Sequence, residues 1–283
     1  MRILGRGIAV AAAVVFVCLG YEYLTLPDVR SLRTANPSST AFIELRAREA
    51  RARGDEPRRQ QQWVPYSRIS QNLKRAVLVA EDRAFWEHEG VDVEQMRESL
   101  LRDWANRALI RGGSTITQQL AKNLYLSPSR NAVRKLRELV IARRLEAELS
   151  KRRILELYLN VIEWGDGIYG AEAAARAYFH ESAAMLSPDQ AALLAAAIIN
   201  PRQLSPASPN TRLRRRQHLI LARMGSITPP PSTPAPTDPA VIVPADPLPA
   251  ETLPALPGEP LPIPPSFGLP PSKSKPPAQP SSF

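Results

Sequence analysis

Residues 112–126 read Gly112-Gly113-Ser114-Thr115-Ile116-Thr117-Gln118-Gln119-Leu120-Ala121-Lys122-Asn123-Leu124-Tyr125-Leu126. Ser114 is placed to cap a helix running to Leu124, because its hydroxyl can accept an orphan backbone N–H of the first turn. Gln118 and Lys122 stand four residues apart and share a face of that helix. Its N-terminal half therefore presents a hydroxyl, amides and an ammonium, and helix N-termini suit phosphate oxygens.

Working outward, the chain from Trp63 to about Gly225 reads as helix after helix. Asp92 followed by Gln95 resembles a capping box opening a helix through Leu109. An amphipathic stretch runs from about Asn131 to Leu149, and Ser150 can cap the next helix, through Asn160. Ser187-Pro188-Asp189-Gln190 combines an N-cap, a proline at the first position, an acid and an amide. The last helix ends near Gly225. No alternating segment is long enough for a convincing sheet, so the domain is expected to be mainly α.

The ends differ in composition. Arg2 and Arg6 precede an apolar run from Ile8 that continues through Tyr21 and Tyr23 toward Leu26. Residues 8–26 fit a short transmembrane anchor, with residues 1–7 cytoplasmic and the remainder exported. A cleaved signal peptide ending near Cys18 and Gly20 is the rival reading. Residues 27–62 are polar and arginine-rich, as a membrane-proximal stalk or a solvated linker would be. Beyond residue 225 the composition breaks, and 20 of the 29 prolines lie between Pro229 and Pro280. The 226–283 tail is expected to be disordered with polyproline character.

The chain has 283 residues and a formal net charge of +10, which suits an anionic partner without choosing among nucleic acid, acidic lipid and phosphate-bearing substrate. Cys18 is the single cysteine, which excludes an intrachain disulfide or a cysteine-based metal site. Export makes nucleic acid an unsuitable partner.

Chemistry concentrates in four segments: Glu81 to Asp92, Gly112 to Asn123, Arg134 to Glu146, and Lys151 to Phe179. Arg134, Lys135 and Glu138 can share one flank of a helix. A carboxylate beside two cations fits acid–base work near an anionic group, and two carboxylates plus a basic cradle suggest sugar transfer from a phosphate leaving group. The plain alternatives remain: a Glu followed four residues later by a basic residue is usually a solvated pair, an Arg-Lys-x-x-Glu cluster is more often structural from pattern alone, His88 reads as a structural histidine, and Gly165-Asp166-Gly167 reads as a turn. Lys151 stands outside the cradle and reads as an isolated surface charge. Met96, Leu100, Trp104 and Ala108 form a stripe that fits a core face or a membrane interface equally well.

These segments, in this order, resemble the motifs of the family 51 glycosyltransferases of peptidoglycan synthesis; "EDRAFWEHEGVD" at 81–92 and "GGSTITQQLAKNLYL" at 112–126 carry the match. Trp63-Val64-Pro65-Tyr66 and Ile199-Asn200-Pro201 resemble the single-domain, monofunctional biosynthetic members. The resemblance covers about 63–225. It implies a two-lobed lysozyme-like domain and the substrate lipid II, a disaccharide-pentapeptide on undecaprenyl diphosphate, polymerised into β-1,4 glycan with inversion.

In that resemblance Glu81 matches the catalytic base and Glu138 the second essential carboxylate. Lys122, Arg130, Arg134 and Lys135 match cationic substrate-binding positions, and Ser114, Gln118 and Gln119 match polar positions of the cleft. No metal ligands are assigned; a divalent cation such as magnesium could assist at the diphosphate, but no ligand cluster identifies one. The partners implied are lipid II with the growing glycan strand, the membrane bilayer and, on analogy, other cell wall synthases. The expected location is the inner membrane, single-pass, with the catalytic domain periplasmic. The resemblance also tips the Met96–Ala108 stripe toward the bilayer. A wall hydrolase and a non-enzymatic membrane-tethered binding protein are the rival functions; a hydrolase has no diphosphate to bind.

Overall fold

The computed structural model describes residues 13, 16, 20, 24–94, 96–97, 113–127, 129, 131–227 and 229. It is mainly helical. The helices are α1 (Ala41–Ala52), α2 (Gln71–Glu81), α3 (Ile116–Tyr125), α4 (Ala132–Glu148), α5 (Lys151–Val161), α6 (Ala171–Phe179), α7 (Pro188–Ala197) and α8 (Thr211–Met224). Short-range capping chemistry sets most of their starts. Asn131 and Ser150 cap α4 and α5, and Ser187 with Gln190 forms a reciprocal capping box on α7. For α3 the cap is Thr115, whose hydroxyl accepts from Gln118 N at 3.2 Å. Ser114, the expected cap, is thereby left for other work. The last helix stops at Met224, with Gly225 as its C-cap.

Three two- or three-residue strands form a small sheet: β1 (Gln60–Gln61), β2 (Glu163–Gly165) and β3 (Ile168–Tyr169), in the order β1-β3-β2. β2 and β3 form a hairpin, as its Gly-Asp-Gly sequence predicts, and β1 joins β3 in parallel. Gly167 has φ +73°, and a Cβ there would lie 2.6 Å from Arg58 Cβ, so the turn and the close approach both require glycine.

α7 packs on α2 and α8, while α3 packs on α4 and α5. One hydrophobic cluster joins them, including Leu73 and Val77 of α2, Ile116 and Leu120 of α3, Ile141 and Leu145 of α4, Ile154 of α5 and Leu194 of α7. Each such side chain contributes on the order of 1.5–3 kcal/mol by leaving water. Part of 27–62 packs with this body. Val29 and Leu32 lie in the same cluster, and Arg153 of α5 donates to Leu32 O at 2.8 Å.

Among the described residues no helix is long and apolar enough to cross a membrane. Most of 8–26, the stripe residues Leu100, Trp104 and Ala108, and nearly all of the proline-rich tail lie outside the described residues.

Candidate active site

Asp82 is the residue that joins α2 to α3. It is the C-cap of α2 and is buried. Its Oδ2 accepts the N–H of Ile116, the first residue of α3, at 2.9 Å. A carboxylate there satisfies an orphan donor and faces the positive end of the helix. His88 Nε2 lies 3.0 Å from both Asp82 oxygens, and Gly90 N–H donates to His88 Nδ1 at 3.1 Å. That pattern assigns the proton to Nε2 and makes His88 a structural donor. The carbonyl of Gly90 accepts from Thr115 Oγ1 at 2.7 Å. Gly90 itself has φ +83°, with a hypothetical Cβ 2.9 Å from Glu146 Cγ and 3.2 Å from Ala142 O. Residues 81–92 are thus folded onto the start of α3.

This arrangement sets Glu81, the last residue of α2, against the side of α3. Gln119 Nε2 donates to Glu81 Oε2 at 2.9 Å, and Arg216 of α8 reaches Glu81 Oε1 at 3.3 Å. Tyr158 OH, buried on α5, donates to Gln119 Oε1 at 2.9 Å, which fixes the amide with its NH2 toward Glu81. The Glu81 side chain is 13% exposed. Burial pushes its pKa above the ordinary carboxylate value; the Gln119 hydrogen bond and the charges of Arg216 and Lys122 oppose that shift, and Asp82 adds to it.

The second carboxylate, Glu138, is buried on α4. Arg134 NH1 lies 2.6 Å from its Oε2 and Lys135 Nζ 2.5 Å from its Oε1. Lys135 Nζ also donates to Ser114 Oγ at 3.2 Å and Gln118 Oε1 at 3.1 Å. Lys122 projects from α3 into the field of both carboxylates. Its pKa is lowered by burial, raised by Glu138, lowered by Arg134 and Lys135, and raised by Glu81. The structure therefore gathers Glu81, Gln119 and Lys122 on one side and Ser114, Gln118, Arg134, Lys135 and Glu138 on the other, with Lys122 coupled to both. Arg130 lies outside the described residues. Among the described residues no group of three His, Cys, Asp or Glu is placed to hold a metal ion.

A polar cavity of about 590 Å³ lies elsewhere, between α1 and the β2–β3 hairpin, lined by Arg46, Glu163, Asp166 and Arg202 among others. It shares no lining residue with this site. Its guanidinium groups are largely paired internally, Arg46 with Glu49 and Glu163, and Arg202 with Asp166.

A comparison with known sequences decides the family: the family model described as "Transglycosylase" matches residues 48–225. The chain belongs to the transglycosylase family. It is similar to the "Biosynthetic peptidoglycan transglycosylase" of Thiobacillus denitrificans, 48% identical over 229 residues, 81% of this chain and 97% of the relative. The protein of the same name from Dechloromonas aromatica is 44% identical over 79% of this chain and 97% of its own length. That of Aromatoleum aromaticum is 53% identical over 59% and 73%. The transglycosylase match begins inside α1, upstream of the boundary at residue 63 expected from the sequence.

Two side chains at this candidate site lie outside the sequence reading. Arg216 sits in the run Arg214-Arg215-Arg216. Helical periodicity around Leu213, Gln217, Ile220 and Met224, the buried residues of α8, would have put Arg216 on the flank of the buried face and Arg215 opposite. Tyr158 falls within the Lys151–Phe179 segment, whose pattern assigns it no role. One expectation is corrected: Lys151 is not an isolated surface charge. It pairs with Glu146 at 2.8 Å, donates to His88 O, and stands 4.5 Å from the centre of the Phe85 ring.

Proposed function

We propose that this transglycosylase polymerises lipid II into β-1,4 glycan strands for the bacterial cell wall, releasing undecaprenyl diphosphate. The observation that carries the reading is that α3 holds both carboxylates at once: Gln119 donates to Glu81, while Ser114 and Gln118 hold Lys135 of the Glu138–Arg134–Lys135 cluster. It sets a buried base beside a preformed cationic cradle.

The chemistry follows from those groups. Glu81, its basicity raised by burial, removes the proton from the acceptor's GlcNAc 4-hydroxyl as that oxygen attacks the anomeric carbon of the donor's MurNAc. The bond to the lipid diphosphate breaks on the opposite face, which inverts α to β in one displacement. Lys122, Arg134 and Lys135 oppose the negative charge that grows on the departing diphosphate. Glu138 holds Arg134 and Lys135 in place, so the cations need no reorganisation during the reaction. Ser114 and Gln118 fix Lys135 from the other side. The helix groups α2–α7–α8 and α3–α4–α5 fit a two-lobed, lysozyme-like arrangement. The apolar run at 8–26 is the anchor that keeps the enzyme on the inner membrane, with this domain periplasmic, where the lipid tails of substrate and product remain.

A wall hydrolase would need paired carboxylates but no diphosphate cradle. The decisive experiment incubates the full chain with labelled lipid II and, separately, with finished glycan. Glycan polymer from the first, abolished by Glu81→Gln with the circular dichroism unchanged, is the expected result. Digestion of the second without polymer from the first would establish the hydrolase, and binding of lipid II without turnover would establish a binding protein.

A further inference from the structure

The polar cavity of about 590 Å³ between α1 and the β2–β3 hairpin shares no lining residue with the transfer site. Its volume falls in the range of small-molecule pockets, about 300–1,000 Å³. Most of the charges that line it neutralise one another. Arg46 bridges Glu49 and Glu163, Arg202 meets Asp166 at 3.2 Å, and Arg53 meets Asp55 at 3.0 Å. Glu56 and Arg58 remain. Both are exposed lining residues on the segment from α1 to β1, and neither makes an ion pair among the described residues.

Glu163, at the start of β2, has unused capacity of another kind. Its side chain is only 3% exposed. Arg46 Nε and NH2 lie 3.3 and 3.1 Å from its Oε2, whereas its Oε1 is buried with no hydrogen-bond partner. A buried carboxylate oxygen without a donor is costly, and a native structure that keeps one calls for a partner. Burial pushes the Glu163 pKa up; Arg46 and Arg202 oppose the shift and Asp166 adds to it. A cationic donor arriving at Glu163 would hold it ionised.

The unused groups are thus two acceptors, Glu163 Oε1 and Glu56, and one guanidinium, Arg58. A simple anion would meet the two carboxylates, and a simple cation would meet the guanidinium. A molecule with an ammonium at one point and a carboxylate at another satisfies all three. We infer that this cavity binds the end of a short peptide carrying both groups, with the ammonium toward Glu163 and Glu56 and the carboxylate toward Arg58. The source of that peptide rests on the functional reading. The pentapeptide of lipid II, and of the glycan made from it, has a free carboxyl end and, where it holds a diamino acid, an ammonium. α5 leads directly into β2 and carries Tyr158, which holds Gln119 at the transfer site. One continuous stretch therefore serves both the sugar site and the peptide cavity.

The test is calorimetric titration of the full chain in detergent with Nα-acetyl-L-lysyl-D-alanyl-D-alanine, which has one ammonium and one carboxylate. Two capped peptides are compared with it, one acetylated at Nε and one amidated at the carboxyl end. Saturable binding of the parent is expected, with each cap weakening it roughly tenfold or more, the order of a lost charge-assisted hydrogen bond. Glu163→Gln should lower the affinity for the parent to that for the acetylated peptide, and Arg58→Ala to that for the amide. Glu163→Gln also disturbs Arg46, so thermal unfolding is measured beside it, and Glu56→Gln, at a residue without an internal ion pair, is a second variant at the ammonium end. Absence of saturable binding overturns the proposal, as does equal binding of all three peptides. Inorganic phosphate binding as tightly as the parent overturns it too, leaving only an anion site. Lipid II carrying the same caps on its peptide then identifies the source. A KM raised in wild type but not in Arg58→Ala assigns the substrate's own peptide; an unchanged KM with the parent still bound assigns the peptide of the finished glycan. A chain that binds the parent peptide but polymerises no lipid II counts against the functional reading alone.

Discussion

Gln119 Nε2 donates to Glu81 Oε2 at 2.9 Å, and this contact couples the start of α3 to the end of α2. The amide is itself held by Tyr158, so the orientation of the Glu81 carboxylate depends on three helices. Both contacts exist because Asp82 pins the first N–H of α3 beside Glu81. The consequences can be tested one residue at a time.

Removing Arg216 should move the pH dependence of catalysis. Burial raises the Glu81 pKa and Arg216 opposes it, so Arg216→Gln raises that pKa further. The base form is then reached at higher pH, and the acidic limb of the kcat profile shifts upward; Arg216→Lys should return part of the shift. The sign for stability is opposite. A carboxylate whose folded pKa lies above its unfolded value contributes stability below the unfolded value and loses it as pH rises through the folded one. Glu81→Gln should therefore unfold at no lower temperature than wild type at neutral pH. An unmoved acidic limb in Arg216→Gln would separate Arg216 from the base.

Tyr158→Phe removes only the hydroxyl that orients Gln119. The amide can then turn its oxygen toward Glu81, and a lost hydrogen bond of about 1 kcal/mol predicts a kcat reduced roughly five- to tenfold with KM little changed. A change confined to KM would place Tyr158 in substrate binding instead.

Asp82→Ala should destabilise the fold. Asp82 is buried and accepts from Ile116 N–H and His88 Nε2. Leaving a buried donor unsatisfied costs about 1–3 kcal/mol, so the denaturant midpoint should fall clearly while the slope is unchanged. A midpoint equal to wild type would show that the junction between α2 and α3 is held by other contacts.

Charge loss in the cradle should act on rate. In the proposed mechanism Lys135→Ala and Arg134→Ala each remove a preorganised contact to developing negative charge, typically on the order of 10²–10³ in kcat. Lys151→Ala should instead lower the unfolding temperature, because it strips Glu146 and His88 O of a partner. Initial polymerisation rates at saturating lipid II, beside thermal unfolding, separate the two effects. Equal small effects at all three positions would leave the cluster a structural role only.

The sequence by itself determined what is local. Caps at Ser150 and Ser187, the Gly165-Asp166-Gly167 turn, and the flank shared by Arg134, Lys135 and Glu138 all depend on residues within a turn or two of each other, whose geometry is fixed locally. The motif pattern of 81–92 and 112–126 was legible for the same reason. Tertiary structure alone decided the rest. Arg216 reaches Glu81 across 135 positions, Tyr158 reaches Gln119 across 39, and Lys151 turned inward onto Glu146 and the Phe85 ring. Even the cap of α3 shifted from Ser114 to Thr115, which leaves the Ser114 hydroxyl to accept from Lys135. Contacts between distant segments follow from how hydrophobic faces dock, and one apolar face serves many partners, so helical periodicity marks which residues turn inward but not which neighbour they meet.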